Sequence, residues 1–166
     1  MGEPLTFETI LLRLLAAAAM GALLGINREH HGKPAGLKTL TLVSVGAASF
    51  MLVSLELFLP VADAREGVSL VDLTRVVQGV VGGIGFLGAG SIIQARGSVV
   101  GMTTAATIWT VGAIGLACGL GQYRLALAVT LLTWLVLVGL GYVERHWLGH
   151  HPDGGLPPGD GGSPPR

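Results

Sequence analysis

The chain has 166 residues, of which 51% are hydrophobic and 12% charged, with ten Lys or Arg set against ten Asp or Glu. A soluble domain carries about 25% charged residues, and half that share cannot cover a water-facing surface. The balanced charge leaves no basic footprint for nucleic acid, so the composition points to a chain immersed in a lipid bilayer.

A bilayer-crossing helix needs about 20 mostly apolar residues. Five stretches qualify, in chain order Thr9–Ile26, Thr39–Leu59, Val76–Ile93, Met102–Leu120 and Leu125–Val143. They predict an all-α polytopic membrane bundle of five transmembrane helices with a glycine-rich central span. Residues 1–148 read as one membrane domain. From Gly149 the chain is rich in Gly and Pro with nothing apolar to bury, so 149–166 read as a disordered tail. Acids rather than a basic segment precede the first apolar run, which argues against a secretory signal. Arg28, Lys33, Lys38, Arg96, Arg145 and Arg166 fall on one side of five spans, and Arg65, Arg75 and Arg124 on the other. That excess predicts an N-terminus outside and a C-terminus in the cytoplasm.

Span one opens with Glu8 and Arg13, and the arginine is expected to snorkel back toward the acid. Gly21 and Gly25 lie four apart further along it. Arg28 and Glu29 follow at the interface, either as orientation anchors or as charges lining an entrance or a partner surface. His30 and His31 are adjacent and point apart on a helix. Glu56 falls near the end of span two.

Asp72 and Arg75, three apart before span three, share a helix face and can pair. Asp72 also suits a helix start, where a carboxylate accepts backbone hydrogen bonds and complements the dipole. Gln78, a turn further in, needs a partner if it faces the bundle. The three could form a polar pocket.

Span three itself, QGVVGGIGFLGAGSII, holds six glycines: Gly79, Gly82, Gly83, Gly85, Gly88 and Gly90. Gly83–Gly88 matches G-x-G-x-x-G, but a dinucleotide site needs a preceding strand and an acid about 20 residues on. No acid occurs between Asp72 and Glu144. Packing explains the glycines better, because helices in lipid associate through close backbone approach at small residues. Gly79, Gly82 and Gly83 share a face, and Gly21/Gly25, Gly97/Gly101 and Gly115/Gly119 repeat the spacing elsewhere. Span three is therefore expected to be the hub of the bundle. The alternative use of so much glycine is a helix broken at mid-membrane, as in transporters.

Thr103, Thr104 and Thr107 open span four after Gly101. Thr103 or Thr104 is expected to cap the helix. Thr103 and Thr107, four apart, can hydrogen-bond across to another helix or line an anion site at the helix start. Cys118 stands alone in an apolar run and reads as a small buried hydrophobe. His146, His150 and His151 lack carboxylate or thiol support for a metal. No nucleophile, base and orienting group come together, so catalytic, cofactor and metal sites are all expected to be absent.

Three stretches together carry a resemblance. They are Gly25–Glu29 with Gly32–Thr39, then Asp72–Gly79 leading into Gly83–Gly90, and Gly101–Trp109. In this order and spacing, over about Leu11 to Arg145, the chain resembles the membrane domain of the MgtC/SapB family of bacterial inner-membrane proteins. The resemblance implies a five-span plasma-membrane protein, and family members are linked to growth in low magnesium, survival inside macrophages and inhibition of the F-type ATP synthase. Two features depart from it: Asn27 stands where the family often has an acid, and only the Gly/Pro tail follows the last span where longer members carry a soluble domain. The reading that results is a non-enzymatic regulator acting by helix–helix contact, as a homo-oligomer or within a larger membrane complex. The competing one is a small oligomeric transporter of an ion, such as Mg2+, or a solute, with polar groups from Asp72, Gln78, Thr103 and Thr107 meeting around a broken span three.

Overall fold

A computed structural model describes residues 5–62, 68–95 and 98–142. Arg65, Arg96, Arg145, the histidines after position 143, the tail and the side chain of Asp72 lie outside what is described. Five helices are long and apolar enough to cross a membrane, and the chain is an all-α polytopic bundle.

Helix α1 (Phe7–His30) starts at Thr6, whose hydroxyl accepts from the Thr9 amide at 3.3 Å. Glu8 in the first turn and Arg28 in the last complement the helix dipole. The chain reverses through Gly32 and Ala35, both at positive φ, and enters α2 (Leu37–Ala62). Helix α3 covers Val68–Gly90, starting a full two turns before the apolar stretch suggests. A short antiparallel hairpin follows, β1 (Ile93–Ala95) paired with β2 (Ser98–Val100), Ile93 opposite Val100. Helix α4 is Met102–Gly119, and α5 (Tyr123–Leu135) continues through a π-helical turn, Val136–Leu140. The hairpin is absent from the sequence expectation, which treats that stretch as the end of a span and a loop.

Six hydroxyls inside the helices are satisfied by their own backbone, which suits a surrounding without water. Thr41, Ser49, Thr107, Thr110, Thr130 and Thr133 each donate to the carbonyl four residues back at 2.7–2.9 Å. Ser44 and Ser54 are buried, and their hydroxyls have no hydrogen-bond partner.

The core lies where α2 meets α1 on one flank and α4 on the other. A Cβ added at Gly21 would sit 2.9 Å from the Leu40 carbonyl oxygen, and one at Gly25 2.6 Å from the Leu37 Cα. On the other flank, a Cβ at Gly115 would overlap the Ser44 carbonyl oxygen, and one at Gly119 would sit 2.8 Å from that of Ala48. Two small-residue faces, each a pair of glycines four apart, thus press on α2, and Ser44 is touched from both. Backbones approach at distances that a methyl group forbids, which is how apolar helices gain packing without a hydrophobic drive. Helix α4 is the most buried span, with 61% of its residues inside.

This corrects the expectation for span three. Only 11% of it is buried, and a Cβ added at Gly79, Gly82, Gly83, Gly85 or Gly90 would meet nothing within 4 Å. Gly88 alone in this helix approaches a neighbour, Ala105 of α4, at ordinary contact distance. The hub is α2 with α4, and α3 is peripheral. It is held there by Ile84, whose side chain fills the space over Gly112. No break occurs: α3 is continuous from Val68 to Gly90.

Candidate functional site

The polar residues singled out in the sequence divide between the two ends of the bundle. Arg28, Glu29 and Thr104 come together where α1 ends, α2 begins and α4 begins. Arg28 is 4% exposed. Its Nε and Nη2 both donate to the Pro34 carbonyl, at 3.3 and 3.1 Å, and Nη2 also donates to the Thr104 hydroxyl. Its own carbonyl accepts from the amides of His31 and Lys33. Glu29 is exposed, and its Oε2 accepts from the Leu37 amide at 2.8 Å, supplying the first turn of α2 with a negatively charged acceptor. A Cβ at Gly36 would crowd that carboxylate at 2.9 Å.

The sequence Arg-Glu-His-His-Gly-Lys-Pro-Ala-Gly-Leu-Lys therefore folds as one unit. Adjacent charges on the last turn of α1 point to different tasks, one inward to a loop carbonyl and α4, one outward to cap α2. Pro34 lacks an amide, so its carbonyl is the only backbone hydrogen-bonding group it offers, and Arg28 takes it. Sequence reasoning flagged the arginine but missed Pro34 and Gly36; the Pro-Ala-Gly run between two apolar spans is the signal that such a loop needs an organiser.

The Thr cluster behaves differently from expectation. Gly101, at φ +95°, is the N-cap of α4, and no side chain caps the helix there. A Cβ at Gly101 would overlap the Ser91 carbonyl oxygen, so the glycine serves a turn rather than a helix-packing face. Thr103 is exposed, while Thr107 is buried and donates to the Thr103 carbonyl at 2.7 Å instead of reaching another helix.

Toward the opposite end stand Arg13 and Arg75, with Gln78 near the middle of α3. Arg13 does not reach back to Glu8; its Nη1 donates to the Gly119 carbonyl at 2.7 Å, a cation at the negative end of the α4 dipole. Arg28 and Arg13 thus tie α1 to the two ends of α4. Fifteen positions separate the arginines and fifteen separate Thr104 from Gly119, about 22 Å of helix in each case, which suits two antiparallel helices. Arg75 and Gln78 are exposed on α3. At 1.5 Å per residue, Gln78 lies about 18 Å below the end of α3 and Thr107 about 8 Å below the start of α4, so the two fall at different depths. Arg28, Glu29, Arg75, Gln78, Thr103, Thr104 and Thr107 do not form one cluster, and the side chain of Asp72 lies outside the described residues. Among the described residues no group of three His, Cys, Asp or Glu could hold a metal.

Beside the glycines of α3 runs an apolar groove of about 690 Å3, between Leu42, Gly46 and Phe50 of α2 and Gly79, Gly83 and Leu87 of α3. It opens on the lipid-facing surface.

The MgtC family model matches residues 14–146. The chain is 42% identical to the protein SrpB of Synechococcus elongatus over 82% of this chain and 78% of that protein. It is 44% identical to YhiD of Escherichia coli K12, named a putative magnesium transporter, over 80% of this chain and 60% of that one. To MgtC of Salmonella typhimurium LT2 it is 41% identical, over 80% of this chain and 52% of that protein. The chain thus covers little more than half the length of the last two. No solved structure matches it. With the family model spanning four of the five helices in full and most of the first, the chain belongs to the MgtC family.

Proposed function

We propose that this multi-pass membrane protein is a non-enzymatic regulator that acts by helix–helix contact, with α3 as the helix it offers. The observation that carries this reading is the bare face of α3. Gly79, Gly82 and Gly83 have the composition of a close helix contact, yet among the described residues nothing lies within 4 Å of where a Cβ would stand. Glycine costs a helix about 1 kcal/mol per residue relative to alanine, and these three return no packing inside the chain. A helix laid along the groove beside Gly79 and Gly83, from a second copy or from a larger membrane complex, would find the close approach that the glycines permit. The groove has no polar lining, so its occupant is apolar. The relatives' link to magnesium limitation and to ATP synthase inhibition suggests where such a complex would be sought. The inner-membrane location, which membership of the family suggests, and an N-terminus outside, which rests on the Lys and Arg distribution, belong to the same proposal.

The name of the E. coli relative favours a second reading, magnesium transport. A route would need polar groups converging at one depth. Gln78, Thr103 and Thr107 do not converge, and the threonine at membrane depth is turned onto its own helix.

Two measurements on one variant test the proposal. Gly83→Leu meets open space in the chain, so it is expected to fold and unfold like the parent while losing oligomer or partner, read by cross-linking and co-purification from membranes. Liposomes carrying the parent protein should show no magnesium flux above empty liposomes. Retained assembly in Gly83→Leu, or protein-dependent flux, would overturn the reading.

A further inference from the structure

Helix α4 has 18 residues, about 27 Å of helix, against a hydrocarbon layer of about 30 Å. Even upright, it does not reach beyond the hydrocarbon at both ends, and any tilt shortens its reach. Its start, Gly101, therefore lies at the hydrocarbon boundary, and the β1–β2 hairpin that leads into it begins at that depth. The hairpin's composition matches such a place. Ile93 is 63% exposed and Val99 53%, with Met102 just beyond at 60%. By the register, Ile93 shares a face with Val100, and Val99 shares the opposite face with Gln94. Apolar side chains are thus exposed on both faces of the ribbon, a pattern that water disfavours on each.

A two-stranded hairpin is marginally stable in water on its own, and three-residue strands are shorter than most. Something must support it. The lipid-facing surface of α3 and α4 is continuous with it in the chain, since α3 ends at Gly90 and α4 begins at Met102. Irregular backbone deep in hydrocarbon would leave the outer edges of both strands without hydrogen-bond partners. At the boundary, headgroups and interfacial water satisfy those edges while acyl chains receive Ile93 and Val99.

We propose that the paired strands Ile93–Ala95 and Ser98–Val100 are a membrane-seated ribbon, lodged at the boundary between headgroups and acyl chains, and that they complete the short span of α4. Its partner is the lipid surface itself. Lys38 is exposed at the start of α2, on the same end of the bundle as Arg28 and Thr104.

The test uses the full chain with Cys118→Ser, which removes its one cysteine, and single cysteines at Ile93, Val99 or, as a boundary reference, Lys38, each spin-labelled in liposomes. Relaxation by oxygen, which concentrates in lipid, is compared with relaxation by a water-soluble nickel chelate. The expected result is oxygen dominance at Ile93 and Val99, and chelate dominance at Lys38. Chelate dominance at both hairpin positions would overturn the proposal by placing the ribbon in water. Protection from both reagents would overturn it equally, by placing the ribbon against protein. A second variant pair, Ile93→Ser and Val99→Ser, keeps the test independent of the labels. Their expected effect is higher chelate access at a label on Met102, with the bundle still folded.

Discussion

Gly115→Val should unfold the bundle or leave it severely destabilised. The backbone carbonyl of Ser44 occupies the place a Cβ would take, and a carbonyl in a continuous helix cannot rotate away as a side-chain tip can. Helices α2 and α4 would have to separate, and because Ser44 also lies against Gly21 on the other flank, the displacement would be passed to α1. Overpacking in a well-packed interior costs about 1–3 kcal/mol and occasionally more; with rigid backbone as the obstacle, a loss of at least about 3 kcal/mol is expected. Gly115→Ala should already cost much of this. Gly83→Ala, where nothing lies within 4 Å, should leave the chain equally or more stable, by up to about 1 kcal/mol, because alanine is the better helix former. Reversible unfolding of the variants in one detergent or bilayer system compares them directly.

Arg28→Met is the second large effect. The substitution keeps an apolar stem but withdraws the donors from the Pro34 carbonyl and the Thr104 hydroxyl. Hydrogen bonds to a charged group contribute about 1.5–3 kcal/mol, and buried acceptors left without partners add to the loss. A decrease of about 2–4 kcal/mol is expected in the unfolding free energy. Arg28→Lys should recover only part of it. A single ammonium does not reproduce the planar fork that reaches loop and helix together. Thr104→Val in combination with Arg28→Met gives a double-mutant cycle, and a coupling above about 0.5 kcal/mol is expected for residues in direct contact. Additive losses would show that the contact between Arg28 and Thr104 contributes nothing of its own.

The five spans were legible because their signal is additive: each accumulates apolar residues over the thickness of a bilayer, and no single neighbour can reverse it. Which glycines are used was not legible to the same degree. The spacing of Gly21 and Gly25, of Gly79 and Gly83, and of Gly115 and Gly119 says only that a helix can be approached closely on that face. Whether a neighbour takes up the offer depends on how the helices are arranged, and the span richest in glycine turned out to be peripheral. Gly101 shows the same ambiguity, since a glycine that looks like one of a packing pair is required by a left-handed turn at the start of α4. The hairpin escaped notice because strands of three residues are too short for an alternating pattern to stand out against an apolar background.

The polar residues were found but grouped wrongly. Arg28 and Thr104 meet although 76 positions of chain separate them, a pairing that helix order alone does not dictate. Gln78 and Thr107 are both polar positions on apolar spans, but they stand at different depths. Counting rise along each helix, at about 1.5 Å per residue, would have separated Gln78 from Thr107. The partner of Arg13 would still have been missed, because it is a backbone carbonyl at a helix end that the sequence marks only by Gly119 and Gly121.

The account turns on α2 and α4 forming the interior while the glycine face of α3 is open. Labelling the purified monomer in a bilayer with a photoactivated carbene precursor dissolved in the acyl chains, and mapping the modified residues by mass spectrometry, measures this directly. Insertion into residues 79–87 of α3, with Gly112–Gly119 of α4 spared, is the predicted outcome. Heavy labelling along Gly112–Gly119 with residues 79–87 protected would contradict it.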